Sequence, residues 1–374
     1  MSVINFDERY KSALIKGFEK ASDTDSLFDH SLDMEFSGVK TVHVKSIITE
    51  PLQDYNRSIP VSHGMDGGGA VAMSRYGATK EVGNEEQTFT MTQDKSLSLS
   101  VDKGNNKEVM DKHKVGEIMA AERDEHIIPY VDTYRLKKWA ETAGMYYELA
   151  TEPTSETIVA DVIKARNLQR NKGVKGEVTL LIPYEHLDAL MLAQQWINLD
   201  SLGGKTLPTG TVGQISGMNV KPISNERWPQ NVAFMIIHKQ SVISPMKIKD
   251  FKGHVDPPGL SGDLIEFRMI FDAFVLGKKC DGVLVAVMPG YKMPELDLVG
   301  NFIQAKGRDA APYEIYYTTD GSDPRYSTTA KLGDTVQGEL YGGEIIKAYA
   351  KALNVGEYNS NLMVAKFEAS GPVV

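Results

Sequence analysis

Apolar and polar residues alternate most clearly between Phe89 and Val101. The odd positions of this stretch are mostly large and apolar, whereas the even positions are threonine, aspartate or serine. Because side chains of an extended strand point alternately to its two faces, this period of two predicts one long ribbon with a single apolar face. No partner strand is evident in the sequence, and an isolated two-stranded ribbon is marginal in water. We therefore expect the ribbon to lie on another surface.

Residues 1–35 are predicted to form an arm. Apolar side chains recur at steps of four, at Phe6, Tyr10, Leu14 and Phe18, and this spacing favours one face of a short helix. The polar stretch Ser22–Ser26 then interrupts the helix. The stripe is too narrow to form a core by itself, so the arm should also dock on another surface.

A strand and a long loop separate the arm from the ribbon. Val42 and Val44 alternate with polar residues and predict a half-buried strand. Residues 54–86 are polar and rich in turns, with three consecutive glycines at 67–69. A loop of this length is uncommon within a compact domain and is usually functional or flexible.

A long helix is predicted after the ribbon. Asn105 can cap the first backbone N–H groups, and Glu108 follows three residues later, as in a capping box. Pro129 should kink or interrupt the helix, and Gly144 should end it. The two pieces make a rod of about 35 residues, or roughly 50 Å at the usual rise per residue.

The middle of the chain mixes helices and strands. Ser155 or Thr157 can cap one helix, and a second helix is predicted from Tyr184 to Gln195. Short apolar runs flanked by glycine or proline predict strands at 178–182, 211–223, 232–239, 264–276 and 282–288. These elements do not repeat a strand–helix–strand order, so the predicted fold class is α+β rather than a doubly wound sheet.

After Pro289 the chain shows only short strand patterns. Tyr313–Thr318 and Ile345–Ala350 are the clearest, and turns such as Asp320-Gly321 separate them. Seven or so strands of this kind predict a small β-sandwich over residues 295–374, folding as a separate unit. Its tyrosines are expected to fill a core rather than to stack on sugars; they are Tyr313, Tyr316, Tyr317, Tyr341, Tyr349 and Tyr358.

The composition is that of a folded protein. Hydrophobic residues make up 41% and charged residues 24% of the 374 residues, which excludes global disorder. No apolar run approaches the roughly 18 residues of a membrane span, and the first residues lack the order of a secretory signal. The single cysteine, Cys280, predicts a reducing cytoplasm. The net charge of −9 argues against sequence-independent binding of DNA or RNA.

Three motifs that resemble chemical sites fail on their residue pattern. Gly204-Lys205-Thr206 looks like the end of a phosphate-binding loop, but Leu199 replaces the first glycine of that motif. Asp320–Pro324 suggests a calcium loop, yet it lacks the alternating ligands and the closing glutamate, so we interpret it as a β-turn. Gly259–Gly262 is one residue short of a nucleophile elbow.

Metal and nucleophile chemistry are not supported by residue spacing either. The eight histidines form no His-Glu-x-x-His motif, and one cysteine cannot make a cysteine-based zinc site; the histidines are His30, His43, His63, His113, His126, His186, His238 and His254. Lysines beside Cys280 would lower its pKa, but a partly buried turn thiol is favoured because no histidine is near it in sequence. Glu85 and Glu86 are expected to be solvated. We therefore expect no catalytic, cofactor-binding or metal-binding residues and no enzymatic activity.

The order of arm, extended loop, ribbon, long helix and α+β lobe resembles the major capsid proteins of tailed bacteriophages, which have the Hong Kong 97-type fold. The segments that carry this resemblance are Phe36–Val44 with Pro51–Tyr55, Leu97–Asn106 and Ile127–Leu136. The resemblance covers about residues 1–290. The stretch from His63 to Gly69 departs from the pattern as an added loop tip.

The resemblance implies a domain organisation. It assigns residues 1–53 to an N-terminal arm and first strand, 54–101 to the extended loop, and 102–145 to the spine helix of the peripheral domain. Residues 146–230 correspond to the axial domain, and 231–290 to strands of the axial and peripheral domains. In this family the arm and the extended loop reach neighbouring subunits, so residues 1–35 and 54–100 are expected to be ordered by other subunits.

The resemblance also implies a function and partners. The chain would form hexamers and pentamers of an icosahedral head shell around double-stranded DNA, which it would not bind sequence-specifically. Portal, scaffold or head-completion proteins would be its partners, and it would need no cofactor and no membrane. It would be part of the virion and would assemble in the cytoplasm of a bacterial host. Lys80 and Lys95 lie in the region of possible cross-links, although lysines there are more often solvated.

The C-terminal region resembles a second family. Tyr316–Pro324 and Ile346–Ala350 are similar to the immunoglobulin-like modules of chitobiase-type enzymes and other surface proteins, over about residues 311–368. This resemblance implies an immunoglobulin-like β-sandwich on the outer surface of the shell. Two alternatives compete with the capsid interpretation: a cellular nanocompartment built from the same shell subunit, and a carbohydrate-binding surface protein or enzyme with an immunoglobulin-like tail.

Overall fold

Strands outnumber helices in the fold, and the chain divides into two compact units. The computed structural model describes residues 22–30, 34–38, 40–47, 54–55, 84–103, 115–193, 212–291, 293–306, 313–337, 343–354 and 356–367. The smaller unit is Asp33–Thr90, and the larger combines Met1–Leu32 with Met91–Val374. The mixture of helices and strands agrees with the predicted α+β class.

The smaller unit contains a three-stranded antiparallel sheet. Its strands, in spatial order, are β1 (Met34–Ser37), β2 (Thr41–Ile47) and β3 (Asn84–Thr90). The predicted strand around Val42 and Val44 is confirmed as β2, and both side chains are buried. The triple glycine at 67–69 lies outside the described residues.

The predicted ribbon between Phe89 and Val101 is two strands rather than one. Strand β3 ends at Thr90, and a new strand, β4 (Gln93–Asp102), begins after Met91 and Thr92. β4 pairs antiparallel along its whole length with β12 (Gly262–Phe271), which in turn pairs with β11 (Met246–Val255). The expectation that the ribbon lacks a partner in its own chain is therefore wrong for β4.

The apolar face of this three-stranded sheet packs against the predicted long helix. The helix runs from α1 (Val115–Glu122) through a π-helical turn (Arg123–Ile127) into α2 (Ile128–Glu141). Its buried partners in the sheet include Ile265, Phe267 and Phe271, and Leu97 and Leu99 of β4 pack beside them. The interruption predicted from Pro129 takes the form of this wider turn immediately before it. Asn105 and its predicted cap lie outside the described residues.

A mixed six-stranded sheet forms the centre of the larger unit. Its strands, in spatial order, are β5 (Met145–Glu148), β14 (Val283–Val287), β9 (Val232–His238), β6 (Val178–Pro183), β8 (Met218–Ile223) and β7 (Gly213–Ile215). β14 is parallel to β5, β6 is parallel to β8, and the other neighbours are antiparallel. The predicted strand at 211–223 is thus a hairpin, which turns at Ser216 and Gly217 with positive φ angles of 49° and 77°. A two-residue pair, β10 (Val242–Ile243) with β13 (Phe274–Val275), lies outside this sheet.

Helices cover both faces of the central sheet. On one face, Leu136, Trp139 and Ala140 of α2 share a buried cluster with alternate residues of β9 and β14. On the other face, α3 (Ile158–Asn171) and α4 (Tyr184–Leu192) pack against the intervening residues. Both helices were predicted, but the Thr157 hydroxyl accepts the Thr154 N–H instead of capping α3.

The C-terminal region consists of short strands, as the pattern predicts. A hairpin of β15 (Glu295–Val299) and β16 (Phe302–Lys306) accompanies a four-stranded sheet. The strands of that sheet, in spatial order, are β18 (Lys331–Leu332), β17 (Tyr313–Thr318), β19 (Ile345–Ala352) and β20 (Met363–Lys366). Tyr317 and Tyr358 are each 1% exposed, which agrees with core packing of these tyrosines. Tyr341 lies outside the described residues.

The C-terminal strands share their packing with the central sheet. Tyr358 joins the buried cluster under α2, with its ring centre 5.9 Å from that of Tyr146 and 5.2 Å from that of Tyr291. The Asn361 side chain accepts the Tyr146 N–H at 2.8 Å and donates to the Tyr146 carbonyl at 2.9 Å. The Arg325 guanidinium donates to the Gly144 carbonyl at 2.8 Å. This packing differs from the separately folding module that the composition change at Pro289 predicts.

Candidate functional site

Those histidine and carboxylate candidates that the structure describes form isolated pairs rather than a larger cluster. Within the ranges that the structure describes, no group of three or more His, Cys, Asp or Glu side chains is arranged to hold a metal ion. His43 Nδ1 lies 2.7 Å from a carboxylate oxygen of Glu86, so Glu86 is paired as well as solvated, and His254 lies 3.4 Å from Glu266. His63, His113 and the Gly204–Thr206 segment lie outside the described residues.

The two lysines considered for cross-linking are placed differently. Lys95 Nζ stands 5.4 Å from the centre of the Tyr130 ring, a cation–π contact between β4 and α2. The same tyrosine donates a hydrogen bond to the Gln93 side chain at 3.2 Å. Lys95 is exposed, which agrees with the expectation of a solvated lysine. Lys80 lies outside the described residues.

The Cys280 thiol is buried and inert. It lies in a short 3-10 segment, Gly277–Gly282, and its side chain packs in the interior. Burial raises the pKa of Cys280 to about 12, with Arg325 acting in the opposite direction. The lysines that flank it in sequence therefore do not make it a thiolate at neutral pH. A buried structural thiol agrees with the interpretation favoured from the sequence.

The Asp320 loop is a closed turn. The Asp320 carboxylate accepts the Ser322 backbone N–H at 2.9 Å and hydroxyl hydrogen bonds from Ser322 at 2.5 Å and Thr329 at 2.6 Å. Burial raises the pKa of Asp320, but these hydrogen bonds outweigh it and hold the pKa below its usual value. Donors from the protein itself occupy the carboxylate, so the loop is the β-turn that the sequence predicts.

The most organised polar site is formed where the N-terminal segment meets α2. We call it the N-terminal docking site; its residues are Ser22, Asp23, Thr24, Asp25, Asp132, Arg135, Lys221 and Arg227. The first four belong to the segment, which contains a 3-10 turn at Asp25–Leu27. The other four come from α2, β8 and the 3-10 turn Asn225–Arg227. Three separate parts of the larger unit thus converge on one short stretch of chain.

Asp132 lies at the centre of the docking site. Its side chain is 0% exposed and its carboxylate accepts hydrogen bonds from the Ser22 hydroxyl at 2.5 Å and the Thr24 hydroxyl at 2.6 Å. The Asp23 backbone N–H donates to the same carboxylate at 3.0 Å. Arg227 donates at 3.3 Å to the same oxygen as the Asp23 N–H. One buried carboxylate therefore holds three consecutive residues of the segment.

Arg135, one helical turn further along α2, is the second buried charge. Its guanidinium donates to the Thr24 hydroxyl at 2.9 Å and to the Asp25 carboxylate at 3.3 Å. It also donates to the Ser244 hydroxyl at 2.8 Å and lies 4.9 Å from the centre of the Phe28 ring. Burial lowers the pKa of Arg135, and the carboxylates of Asp25 and Asp132 act in the opposite direction. The pairing compensates a charge that would otherwise be costly to bury.

The remaining charges lie nearer the edge of the site. Arg227 also bonds the Asp23 carboxylate at 3.0 Å, and Lys221 donates to the Ser26 hydroxyl at 3.0 Å. Burial raises the pKa of Asp23, reinforced by the negative charge of Asp132 and opposed by Arg227. Burial lowers the pKa of Lys221. Three carboxylates thus face three cations, and the network is electrically balanced.

Two apolar side chains complete the docking. Leu27 and Phe28 are 3% and 4% exposed and belong to the buried cluster under α2. The Phe28 ring meets the Trp139 ring edge-on, with centres 6.3 Å apart. Residues 22–30 are therefore ordered by their own chain, and the expectation that all of 1–35 depends on other subunits is wrong for this part. Residues 1–21 lie outside the described residues.

A sequence pattern for this site exists but was missed. The buried face of α2 is apolar except at Asp132 and Arg135, which lie three residues apart among Ile128, Val131 and Trp139. Two opposite charges on an otherwise apolar helix face indicate a buried polar partner, because charges are buried only when paired. The pattern does not say which segment supplies that partner.

An open pocket of about 240 Å³ lies beside the docking site and shares Arg227 with it. Its polar groups hold neighbouring elements together. Glu141 accepts the Gly356 N–H at 3.0 Å, and the Trp228 ring N–H donates to the Val232 carbonyl at 2.7 Å. Tyr358 donates a hydrogen bond to the Gln230 carbonyl. The polar groups of the pocket and of the docking site thus join segments of the chain that are distant in sequence.

No helix in the described ranges is both long enough and apolar enough to cross a lipid bilayer.

Comparison with known proteins identifies the fold. No protein-family model matches the chain, and no curated protein matches it. Among solved structures, the capsid structure of the Cyanophage P-SCSP1u is similar at 10% identity, over 68% of this chain and 84% of that chain, with a TM-score of 0.51. Mycobacterium phage Che8 matches at 14% identity over 66% and 84% of the two chains, with a TM-score of 0.48. A virus-like particle from Pyrococcus furiosus matches at 13% identity over 76% and 100%, with a TM-score of 0.47. The cyanophage likeness shows that this chain has the fold of a phage capsid protein.

Proposed function

We propose that the chain is a major capsid protein that self-assembles into the icosahedral head shell of a tailed bacteriophage. The observation that carries this proposal is the likeness of the fold to the cyanophage capsid structure over 68% of the chain. A fold by itself can serve several functions. Together with this likeness, the strand β4, the long helix and the mixed sheet of this chain support a subunit of hexamers and pentamers, with a structural rather than an enzymatic role.

The architecture supports a division into the subdomains of the Hong Kong 97-type fold. The sheet of β11, β12 and β4 with α1 and α2 corresponds to the peripheral domain in this proposal. The six-stranded sheet with α3 and α4 corresponds to the axial domain. Of the extended loop expected at 54–101, residues 54–90 belong to Asp33–Thr90, whereas 93–101 are part of β4 and so of the peripheral sheet in this proposal. The boundary expected at residue 230 then falls inside one sheet, because β9 and β14 lie between β5 and β6. Residues 295–374 are proposed to form the immunoglobulin-like module on the outer surface of the shell.

The proposed cargo is double-stranded DNA, enclosed without sequence-specific contacts. The net charge of −9 supports enclosure rather than tight binding, because nucleic-acid binding depends on clustered cations. Shells should then form without nucleic acid, and DNA would enter through a portal. Scaffold and head-completion proteins are the other proposed partners. The virion is the proposed location, after assembly in a bacterial cytoplasm.

Electron microscopy of the expressed protein tests the proposal. The full chain is produced in bacteria, alone and with the products of its neighbouring genes, and is treated with nuclease before imaging. We expect closed shells of uniform diameter that survive nuclease treatment. A chain that stays monomeric under every condition contradicts the shell function, and shells that form only with nucleic acid contradict the proposed mode of packaging.

The contents of particles isolated from the native source separate the capsid from the nanocompartment. DNA of genome length inside the particles supports the phage capsid. Particles that hold a protein cargo and no DNA instead identify the chain as a nanocompartment subunit with the same fold. Monomeric protein that binds a glycan array identifies the third alternative, a carbohydrate-binding surface protein.

A further inference from the structure

We infer that Asp132 is a positioning residue for assembly. Its buried carboxylate fastens residues 22–28 to α2 and so fixes the point at which the preceding part of the chain is attached to the subunit. The inference rests on the proposed shell function. It adds one specific feature to that function, the polar attachment of residues 22–28 to α2, which we call the latch. The latch can open while the rest of the subunit stays folded.

The first argument is the geometry of the hydrogen bonds. The Asp132 carboxylate accepts from Ser22, Asp23 and Thr24, at 2.5, 3.0 and 2.6 Å. The donor from Asp23 is a backbone N–H, which cannot act as an acceptor. A carboxylate offers two oxygens with about four acceptor positions, whereas the amide of asparagine offers one oxygen and two donors. An asparagine at residue 132 would keep one oxygen for the Asp23 N–H and Arg227, but it would lose the negative charge that faces Arg227 and would reverse the hydrogen bonds with the two hydroxyls.

The second argument is that polar contacts dominate the docking. Leu27 and Phe28 are the only large side chains of the described segment, 22–30, that join the apolar cluster under α2. Polar contacts of the segment run to Asp132, Arg135, Arg227 and Lys221, which lie in three separate elements. Because a buried charge network is stable only when it is complete, loss of one member should weaken the whole attachment.

The third argument is that the segment is separable from the core beneath it. Leu27 and Phe28 of the segment belong to the same cluster as Leu136, Trp139 and Ala140 of α2, but these three residues also pack against the central sheet, so α2 keeps those contacts when the segment leaves. Proteins open locally in such units, at a free energy below that of global unfolding. Opening of the latch would free the segment and leave α2 in place.

The fourth argument concerns assembly. In the proposed function the part of the chain before Ser22 reaches a neighbouring subunit. That part binds the neighbour with less entropic cost when its starting point, residues 22–28, is already fixed. A released segment must be ordered at the moment of contact, which lowers the affinity between subunits. The latch should therefore raise the yield of particles at a given subunit concentration.

The test compares five full-length proteins. They are the wild type, Asp132→Asn, Thr24→Val, Thr24→Ser and Asp161→Asn. Thr24→Val keeps the shape of the side chain but removes the hydroxyl, which donates to Asp132 and accepts from Arg135, whereas Thr24→Ser keeps that hydroxyl. Asp161, on α3, is a buried carboxylate outside the docking site, with Tyr147 and Lys164 as its partners. Hydrogen exchange of unassembled subunits, thermal unfolding and particle yield by electron microscopy are measured for each.

We expect Asp132→Asn and Thr24→Val to speed exchange in residues 22–30 by about tenfold or more. Asp132→Asn removes the buried negative charge that pairs with Arg227, and Thr24→Val removes hydrogen bonds to two buried charged groups. Exchange in β9 should not change, and particle yield should fall several-fold. Thr24→Ser should behave as the wild type in all three measurements. Asp161→Asn should leave exchange in residues 22–30 at the wild-type rate.

Four outcomes overturn the inference. Unchanged exchange in residues 22–30 for Asp132→Asn shows that the carboxylate does not hold the segment. If Asp132→Asn unfolds globally, Thr24→Val decides in its place, and unchanged exchange in that variant is equally contradictory. Faster exchange in residues 22–30 together with a wild-type particle yield shows that Asp132 has no role in assembly. Equal loss of yield in Thr24→Ser points to a role for residue 24 unrelated to the hydroxyl. A wild-type chain that forms no particles instead contradicts the shell function itself.

Discussion

Gly144 lies where the chain leaves α2 and passes against the turn at Cys280. A Cβ atom at this position would lie 2.3 Å from the carbonyl carbon of Cys280 and 2.7 Å from the backbone nitrogen of Asp281. Both are backbone atoms, so no change of side-chain rotamer relieves the contact. The glycine is required for space. Its carbonyl also accepts the hydrogen bond from Arg325, which links the C-terminal strands to this point.

Gly144→Ala should lower the free energy of unfolding by about 1–3 kcal/mol or more, because overpacking forces the backbone to shift. Urea denaturation of unassembled subunits measures the change. Gly253→Ala is the matched control, since a Cβ there meets no atom within 4 Å and the residue lies in strand β11. The control should change stability by less than about 0.5 kcal/mol. Equal stability of both variants would show that the close approach at Cys280 is absent in solution.

Among the elements, strand β4 has one face that packs against an apolar cluster and one face that is exposed. Leu97, Leu99 and Val101 face the cluster beneath α1 and α2, while the serines between them are exposed. On its hydrogen-bonded side β4 follows β12 residue by residue, with Leu99 opposite Ile265 and Ser100 opposite Leu264. Substitutions at the neighbouring residues Leu99 and Ser100 therefore test opposite faces of the same strand.

Leu99→Asp should lower the free energy of unfolding by about 2–4 kcal/mol, because it places an unpaired carboxylate against an apolar cluster. Ser100→Asp carries the same charge on the exposed face and should cost less than about 0.5 kcal/mol. Thermal unfolding of unassembled subunits distinguishes the two. If both variants unfold at the wild-type temperature, β4 is not docked in the free subunit, and the original expectation of a partner from another subunit would hold for it after all.

The sequence predicts β4 well but does not predict where it begins. Met91 continues the apolar register of the ribbon, so nothing local marks the break after Thr90. In the structure the Thr92 N–H donates to the carboxylate of Asp272 at 2.7 Å, across a separation of 180 residues. A contact between residues this far apart in sequence does not alter the local pattern of apolar and polar residues.

The local sequence pattern does not predict strand β11 or the docking site, and the reasons are related. β11 alternates lysine, aspartate and histidine with few apolar residues, and only pairing with β12 makes it a strand. Asp132 and Arg135 mark a buried polar contact, but the contact is made with Ser22–Asp25, more than a hundred residues earlier. Periodicity predicts most elements here; partners that are distant in sequence decide strand breaks, weak strands and the site.

At the scale of the larger unit, the C-terminal strands and the central sheet share part of one core. Tyr358 is 1% exposed and sits between Tyr146 and Tyr291, while Asn361 bonds both backbone groups of Tyr146. Arg325 adds hydrogen bonds to Gly144 and to Asp281 at 2.8 and 2.9 Å. Removal of the C-terminal strands would therefore expose buried surface of the central sheet.

Tyr358→Ala should lower the free energy of unfolding by about 3–5 kcal/mol, the range for loss of a large buried aromatic ring. Leu353→Ala, at a side chain that is 50% exposed, should change it by less than about 0.5 kcal/mol. Calorimetry should show a single transition for the central sheet and the C-terminal strands. A chain that ends at Pro294 but unfolds at the full-length temperature would instead support an independent module.

The two hydrogen bonds between the Asn361 side chain and the Tyr146 backbone can form only late in the synthesis of the chain. The two residues are 215 positions apart, and β5, which contains Tyr146, is an edge strand of the central sheet. At a synthesis rate of about 5–20 residues per second, the ribosome needs roughly 10–40 s to travel between them. β5 pairs with β14, which ends at Val287, so this edge of the sheet exists and is open to pairing with other chains in the later part of the interval, from the synthesis of β14 until Asn361 emerges. Nascent subunits are thus most exposed to misassembly before Asn361 emerges, and slower translation of this region would lengthen the exposure.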